Sequence, residues 1–262
     1  MIPKIIHYCW FGGNPKPASV EKCIASWKHY CPDFEIIEWN ESNYDISKNQ
    51  YMHEAYVSKK WGFVPDYARL DIVFTHGGIY LDTDVELLRP IDVLLKCNGF
   101  MGFESADYVA LGLGFGATPQ NTLIAEMMNQ YVDLKFINKD GSFNFLPSPK
   151  YSTQVLLEHG LVPNNKQQSV DGIMIYPTEY FCPLNFQTGK TNITPQTFSI
   201  HWYDASWFTE DRQYELHLKW ALNKVLPEKA AFYLARTIGI IKYHGFTAVF
   251  KKMYQKLRQG RS

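Results

Sequence analysis

The chain has 262 residues, of which 46% are hydrophobic and 16% are aromatic. This apolar content can bury a sizeable core and excludes a chain that is disordered throughout. The formal net charge is zero, but residues 219–262 hold ten basic residues and one acidic residue, which leaves 16 basic and 25 acidic residues before them. The basic end suits an anionic surface, whereas the sequence contains no motif that reads nucleic acid, so we expect no nucleic-acid partner.

The cysteine pattern and the start of the sequence bear on the cellular compartment. The cysteines are odd in number and none has the C-x-x-C spacing of a zinc or redox site, so reduced thiols in a cytoplasmic protein are expected. They are Cys9, Cys23, Cys31, Cys97 and Cys182. The opening MIPKIIHYCWFGG has too short an apolar run for a signal peptide, and no run approaches the roughly 20 apolar residues of a membrane span.

The first forty residues predict a βαβ unit. Residues 2–10 are typical of a buried strand, and the strand should end before the glycines at 12 and 13. Residues 17–30 have helical spacing of apolar side chains, and residues 34–39 alternate apolar and acidic side chains as a second strand does. A strand, a helix and a strand in this order predict a right-handed crossover and a parallel sheet.

The remaining patterns extend this α/β arrangement. Residues 64–76 predict a helix that ends at a Gly-Gly pair, and residues 79–81 predict a short strand that leads into Asp82. Further strands are predicted at residues 100–103, 108–116, 174–176 and 197–202, and helices at residues 121–136, 152–159 and from 220 onward. The predicted fold class is α/β, with a mainly parallel central sheet and ligands at the carboxyl ends of its strands. We expect one domain over residues 1–218 and a basic amphipathic helical extension over residues 219–262.

Asp82 and Asp84 are the first candidates for chemistry. They are one residue apart after a strand, so in an extended chain both carboxylates point to one face. Two neighbouring carboxylates favour a cation between them, and oxygen ligands are those that Mg²⁺ and Mn²⁺ prefer. An isolated Asp-x-Asp is a weak signal, because it is also common in surface turns.

The surrounding segment is more specific. The run PDYARLDIVFTHGGIYLDTD contains Asp66, Arg69, Tyr80 and both aspartates. It resembles glycosyltransferase family 32, which is usually S-D-x-x-R followed by G-G-x-Y-x-D-x-D; Pro65 stands in place of the serine. The opening IPKIIHYCWFGG and the late SIHWYDASW are similar to two further blocks of that family. The family includes fungal Golgi alpha-mannosyltransferases, bacterial capsular and lipopolysaccharide sugar transferases, and catalytic domains of glucosylating toxins.

The resemblance implies a GT-A type nucleotide-sugar domain and roles for particular residues. The implied catalytic residues are Asp66, Arg69, Asp82 and Asp84. The implied nucleotide-sugar-binding residues are Trp10, Tyr80, Asp66, Arg69, Asp82, Ser206 and Trp207, with Trp10 on the base and the last two in a loop that closes over the diphosphate. The implied ligands of Mn²⁺ or Mg²⁺ are Asp82, Asp84 and His201.

Several of these residues also have structural interpretations. Asp66 could cap its helix, Arg69 could pair with Asp66 or Asp71, and Trp10 could belong to the core. Tyr80 could equally lie in the core or touch the nucleotide. His201 could instead be a hydrogen-bonded core histidine.

The function predicted from these residues is a metal-dependent retaining glycosyltransferase. It would transfer a hexose or N-acetylhexosamine from a nucleotide-sugar, with UDP favoured and GDP-mannose possible, to a glycan or lipid-linked acceptor in bacterial surface polysaccharide biosynthesis. For retention we favour a route in which the leaving phosphate accepts the acceptor proton on the same face, since no nucleophilic carboxylate can be located. The alternatives are a metal-dependent nucleotide-sugar hydrolase and a non-enzymatic carbohydrate-binding module.

The basic tail suggests where such an enzyme would work. Its basic residues at the end are Lys251, Lys252, Lys256, Arg258 and Arg261. A basic amphipathic segment can lie on an anionic membrane, which predicts a peripheral position at the inner face of the plasma membrane. The alternative is a helical hairpin packed on the body with its lysines in solvent.

Overall fold

The structure is a computed structural model that describes residues 1–204 and 208–248, and the structural statements below refer to those residues. Ser206, Trp207 and the basic cluster after residue 250 lie outside them. The chain divides into two compact units. The first is Met1–Pro183 with Asn192–Trp202, and the second is Leu184–Thr191 with Tyr203–Ser262.

The first unit contains nine strands and six α-helices among its described residues. The strands are β1 (Ile5–Cys9), β2 (Glu35–Trp39), β3 (Gly78–Tyr80), β4 (Val85–Leu87), β5 (Gly99–Gly102), β6 (Phe115–Ala117), β7 (Gln168–Val170), β8 (Ile173–Tyr176) and β9 (Ser199–His201). The helices are α1 (Ala18–Tyr30), α2 (Gln50–Val57), α3 (Pro65–His76), α4 (Thr122–Asn129), α5 (Ser148–Glu158) and α6 (Thr178–Phe181).

Seven strands form one mixed sheet in the order β2-β1-β3-β6-β5-β8-β7. The parallel pairings of β1 with β2 and β3, and of β5 with β8, leave five strands pointing one way and β6 and β7 pointing the other. The predicted α/β class with a mainly parallel sheet is therefore confirmed. β4 and β9 form a separate antiparallel ribbon.

The βαβ unit at the start is also confirmed. Helix α1 buries Val20, Cys23 and Trp27, which recur at the three- and four-residue spacing of one helix face. The fully buried Trp27 indole donates a hydrogen bond to the carbonyl of Val85 at 2.7 Å, so α1 is tied to β4. β1 and β2 then pair in parallel from Ile5 opposite Glu35 onward.

Helix α3 is joined to β3 by a turn that needs glycine at two successive positions. Gly77 and Gly78 have φ angles of 65° and 97°, in the left-handed region that other residues avoid. A Cβ on Gly78 would lie 2.9 Å from both the His7 ring and the Ile5 carbonyl. The Gly-Gly pair therefore lets β3 enter the sheet directly beside β1, where Ile79 pairs with Ile6.

Two sequence predictions in the middle of the chain are wrong in extent. Residues 108–116 are not one strand, because a one-turn helix at Leu111–Leu113 interrupts them before β6. The helix predicted over residues 121–136 ends at Asn129. The following segment is held against α2 instead, since the Glu54 carboxylate accepts hydrogen bonds from the backbone N–H groups of Phe136 and Ile137, each at 2.8 Å.

The second unit is built on two helices, α7 (Glu210–Leu222) and α8 (Glu228–His244). The segment Leu184–Thr191 joins them because Trp220 and Asn223 donate hydrogen bonds to its carbonyl groups. The domain boundary predicted after residue 218 falls inside α7. Among the described helices, none has the length and apolar character needed to cross a bilayer. No disulfide joins the five cysteines.

Candidate functional site

Asp82 and Asp84 occupy a tight turn between β3 and β4. The Val85 N–H donates to the Asp82 carbonyl at 3.0 Å, so the backbone of this pair turns, and the shared face expected for an extended chain does not apply here. The turn reverses the chain into the ribbon of β4 and β9, where Val85 pairs with His201. The N–H of Trp202 donates to the Asp84 carbonyl at 2.9 Å. A residue far along the chain is thereby brought beside the two aspartates.

Asp82, Asp84 and His201 form a cluster that could hold a metal ion. One ligand atom from each lies within 4.8 Å of the others, and His201 Nε2 is 3.1 Å from Asp84 Oδ1. Burial alone would lower the pKa of His201, but the carboxylates of Asp84, Asp82 and Glu104 together outweigh it and raise that pKa to about 8. Burial raises the pKa of Asp82, and the neighbouring negative charge of Asp84 adds to this. Two carboxylates and an imidazole fit Mn²⁺ or Mg²⁺ by donor chemistry.

Arg69 lies between two aspartates. Its Nη2 is 3.3 Å from Oδ1 of Asp66 and 3.3 Å from Oδ1 of Asp82, and the guanidinium is almost fully buried. Asp71, the alternative partner considered from the sequence, binds Lys48 instead. Burial opposes the charge of Arg69, but the neighbouring acidic groups, Asp82 first among them, together outweigh it and hold the arginine pKa above its ordinary value. The site therefore contains a fixed cation in contact with Asp82, a member of the cluster that could hold a metal ion.

Asp66 is buried within the first turn of α3, and it does not cap the helix. Its carboxylate hydrogen-bonds with the Ser148 side chain, and the Tyr51 hydroxyl donates to it at 3.5 Å. Burial raises the pKa of Asp66 to about 6, and Arg69 acts against this rise. A carboxylate held in this way stays largely ionised at neutral pH and can accept hydrogen bonds from a ligand.

Tyr80 lies beneath the site and is only 1% exposed. Arg69 Cζ is 5.2 Å from the centre of its ring, and its hydroxyl hydrogen-bonds with Asp82 and with the Cys9 thiol. Burial holds the pKa of Tyr80 well above its ordinary value, so the phenol is neutral. Of the two interpretations left open by the sequence, the position in the core is the one that the structure shows, and Tyr80 supports Asp82 and Arg69 from below.

Trp10 follows β1 at the same edge of the sheet as Asp82, because β1 and β3 run in parallel and both end there. It is partly exposed, its indole N–H donates to the Asn14 carbonyl at 2.7 Å, and Lys16 Nζ lies 5.8 Å from its ring centre. Trp10 is thus available at the edge that carries the acidic cluster. Ser206 and Trp207, the proposed closing loop, lie outside the described residues.

The structure adds two residues that the sequence analysis did not single out as site residues. A Cβ on Gly112 would overlap the Asp82 carboxylate and lie 3.2 Å from Arg69 Nη1, so only glycine leaves room for this arrangement. The glycine-rich run ALGLGFGA is a signal that could have indicated a close backbone approach. Ser148, which binds Asp66, had no such signal because its contact joins distant parts of the chain.

A protein-family model matches residues 17–101, and its description is "Glycosyltransferase sugar-binding region containing DXD motif". The match includes Asp66, Arg69, Asp82 and Asp84, and it covers about a third of the chain. The resemblance inferred from the sequence is confirmed for this segment.

The similarity to curated relatives extends over about as many residues as the match to the family model. The chain is 35% identical over 107 residues to "Alpha-1,4-N-acetylglucosaminyltransferase" of Homo sapiens, covering 40% of this chain and 27% of that protein. It is 33% identical over 105 residues to "Inositol phosphoceramide mannosyltransferase 3" of Schizosaccharomyces pombe (strain 972 / ATCC 24843), covering 36% of this chain and 27% of that protein. The chain thus spans about a quarter of the length of these relatives.

Among solved structures, the chain is similar to "PaToxG Glycosyltransferase" with a TM-score of 0.45 and 18% sequence identity. The superposition covers 60% of this chain and 69% of that chain.

Proposed function

We propose that this chain, which carries the glycosyltransferase sugar-binding region and its DXD motif at residues 17–101, is a metal-dependent glycosyltransferase of the GT-A type. The observation that carries the proposal is the convergence of Asp82, Asp84 and His201 within 4.8 Å at the carboxyl edge of the sheet. Open α/β sheets bind their ligands at this edge, often through charged side chains on the loops there.

The metal ligands would be Asp82, Asp84 and His201, with Mn²⁺ favoured over Mg²⁺ because an imidazole suits it better than it suits magnesium. A divalent cation bound there would act as a Lewis acid toward the departing diphosphate. The chain itself supplies the shape of the site, since the ribbon of β4 and β9 fixes His201 opposite Val85 and so beside Asp84.

Arg69 and Asp66 would bind the donor. Arg69 is already oriented by its two aspartate partners and by the hydrogen bond from its Nε to the Pro65 carbonyl at 3.0 Å. A guanidinium fixed before the reaction can stabilise negative charge that develops on a phosphate without having to reorganise. Asp66 would accept hydrogen bonds from the sugar hydroxyls.

Trp10 would stack on the nucleobase, with UDP favoured and GDP-mannose as the alternative. Ser206 and Trp207 would close over the diphosphate, as the resemblance to family 32 implies, and would limit loss of donor to water. Transfer would retain the anomeric configuration, with the leaving phosphate taking the acceptor proton while Arg69 faces the developing charge.

The donor sugar would be a hexose or an N-acetylhexosamine. The two curated relatives described above are named for transfer of N-acetylglucosamine and of mannose, one of each class. The second is named for a lipid acceptor, inositol phosphoceramide, which supports a glycan or lipid-linked acceptor for this chain as well. Synthesis of a bacterial surface polysaccharide, either capsule or lipopolysaccharide, is proposed from the resemblance of the sequence blocks to bacterial transferases.

Contact with an anionic membrane is also part of the proposal. The support is the excess of basic residues after residue 218 and the exposure of apolar residues on α8, among them Tyr233 and Leu234. Basic residues near an anionic surface contribute on the order of 1 kcal/mol each. Cosedimentation with phosphatidylglycerol vesicles but not with phosphatidylcholine vesicles is expected, and equal recovery with both would contradict membrane contact.

Donor binding tests the main proposal. Thermal unfolding should be followed with Mn²⁺ and a panel of UDP-sugars and GDP-mannose. A donor present at about 100 times its dissociation constant stabilises the folded state by about 2.7 kcal/mol, which raises the melting temperature of a chain of this size by roughly 5–10 °C. The rise should require the metal.

Asp84→Asn should abolish the metal-dependent rise, because it removes one charged ligand. Asp133→Asn is the matched control, since Asp133 is exposed on the surface and outside the cluster. The proposal fails if no donor in the panel changes the melting temperature, or if Asp84→Asn responds as the unaltered protein does. Donor cleavage at full rate without acceptor would favour the hydrolase instead.

A further inference from the structure

An aromatic surface lies next to Asp66, and its two aromatic rings lie outside the segment that the family model matches. It consists of Phe143, Phe145 and Lys60, which we name the aromatic shelf. The ring centres of Phe143 and Phe145 are 5.8 Å apart, and Lys60 Nζ lies 5.5 Å and 5.9 Å from them. Phe145 is 54% exposed and the next residue, Leu146, is 37% exposed. Large apolar side chains exposed together commonly mark a binding surface.

Two contacts fix the position of the aromatic shelf relative to the first turn of α3. Phe63 and Phe145 are in ring contact at 5.5 Å, and Asp66 and Ser148 are joined by a hydrogen bond. Phe63 and Asp66 are three residues apart, and so are their partners Phe145 and Ser148. The two segments therefore run side by side. Three residues span at most about 10 Å of backbone, which places the shelf within reach of a ligand that also faces Asp66.

The loop that carries Phe143 and Phe145 is anchored by a ring contact and by hydrogen bonds. Phe143 stacks on the fully buried Phe136 at 5.3 Å, and the Asn144 N–H donates to the Phe136 carbonyl at 2.7 Å. The Asn144 side chain donates to the Tyr151 hydroxyl at 3.1 Å, which fixes the loop to α5. An exposed ring on a braced loop can bind a ligand with little loss of conformational entropy.

Lys60 adds a charge to this surface. Within residues 1–204 and 208–248, no carboxylate lies within 4 Å of its ammonium group. The two aromatic rings beside it attract a cation through their faces but leave its net charge in place. The shelf therefore presents apolar faces and one positive charge whose Coulomb attraction remains available to a ligand.

We infer that the aromatic shelf is the acceptor subsite and that it takes a sugar bearing an anionic group, a carboxylate or a phosphate. The apolar face of the sugar ring would lie on Phe145 and the anion would face Lys60. This inference rests on the proposed function and names the acceptor class for it. Phe143 and Phe145 lie beyond residue 101, so the segment that the family model matches includes Lys60 but not the two rings of the shelf.

Ligand-observed NMR titrations of the whole chain test the inference without any turnover. The probes are methyl β-D-glucuronide, methyl glucoside 6-phosphate and neutral methyl β-D-glucoside. At least one of the acidic sugars should bind at least fivefold more tightly than the neutral one. If only one acidic probe binds, it identifies the anion as carboxylate or phosphate, and equal binding of all three contradicts the inference.

Phe145→Ala should weaken binding of the acidic sugars at least fivefold, and Phe145→Tyr, which keeps the ring, should preserve it. Lys60→Met should remove the preference for acidic sugars. Lys59→Met is the matched control, because it makes the same charge change one residue away and should leave the preference intact. If Phe145→Ala fails to fold, Phe145→Tyr and the two lysine variants still decide the question.

Failure of this inference can be distinguished from failure of the proposed function. If the donor and Mn²⁺ stabilise the protein while Phe145→Ala and Lys60→Met bind acidic sugars normally, only the acceptor subsite is wrong. If no donor binds, the proposed function fails whatever the sugar titrations show. If the unaltered protein is a dimer and Phe145→Ala is a monomer that binds sugars unchanged, the shelf is a contact between copies and the inference is overturned.

Discussion

The position of the Asp82 carboxylate depends on the absence of a side chain at residue 112. In Gly112→Ala the new methyl group would overlap that carboxylate, which would have to move by about 1 Å, a displacement that can cost 100-fold in rate. The movement would also strain the contacts of Asp82 with Arg69 and Tyr80. We therefore expect kcat for donor turnover to fall about 100-fold, equivalent to about 2.7 kcal/mol of transition-state stabilisation.

The assay is release of nucleotide from the donor at saturating Mn²⁺, measured together with urea unfolding. Gly141→Ala is the control, because its Cβ would enter open space while its φ of 81° is strained for alanine. It should lose about 1 kcal/mol of stability and keep its turnover rate. If Gly112→Ala turns over donor within twofold of the unaltered protein, the carboxylate is not confined by the backbone at this position, and the reasoning is refuted.

Two further predictions concern stability. His7 is buried, and burial is the main reason that its pKa is lowered to about 4. Between pH 6.5 and pH 4 the unfolded chain therefore binds a proton that the folded chain does not. About 3 kcal/mol of the free energy of unfolding is lost as the pH falls through this window. In His7→Gln this contribution should vanish, so urea unfolding at pH 7.5 and pH 4.5 should show a smaller pH dependence than in the unaltered protein; an equal dependence would contradict the assignment. Glu54→Ala should lower the free energy of unfolding by about 2–3 kcal/mol in the same assay, because two N–H groups of a buried segment lose a charged acceptor. Glu158→Ala should lower it by less than about 0.5 kcal/mol, because among the described residues the Glu158 carboxylate has only an i,i+4 contact with a glutamine, comparable to the one that Glu54 also makes. Equal losses in the two glutamate variants would show that the Glu54 contacts are not stabilising.

The fold was predictable where structure depends on local pattern. The apolar periodicity of α1 and α3, the alternation in β2 and the Gly-Gly stop after α3 all correspond to elements of the structure. The predictions were wrong in extent where a distant group decides the conformation. The helix expected through residue 136 ends at Asn129, and the Glu54 carboxylate holds the segment that follows in another conformation. The local helix propensity of a sequence does not account for a contact with a residue so far away along the chain.

The candidate site was predictable to a similar degree. Asp66, Arg69, Asp82 and Asp84 lie within nineteen residues of sequence, so a single motif identifies them. His201 was proposed from a second block, and its place beside Asp84 follows from pairing of β4 with β9, which no local pattern encodes. Gly112 was missed because its role is to leave space, and the need for space becomes visible only when the Asp82 carboxylate is located.

The proposed donor-binding residues and the proposed acceptor-binding residues lie in different kinds of structure. The donor side is assembled mainly from α3 and the turn after β3, inside the segment that matches the family model, where charge and backbone geometry leave little freedom. The proposed acceptor side is an exposed loop that is anchored by a few hydrogen bonds and ring contacts. Loop residues can change without disturbing the core, whereas Arg69 cannot change without leaving two aspartates unpaired. Differences in acceptor among proteins that share the donor segment should therefore arise in the loop that carries Phe145 rather than around Asp82.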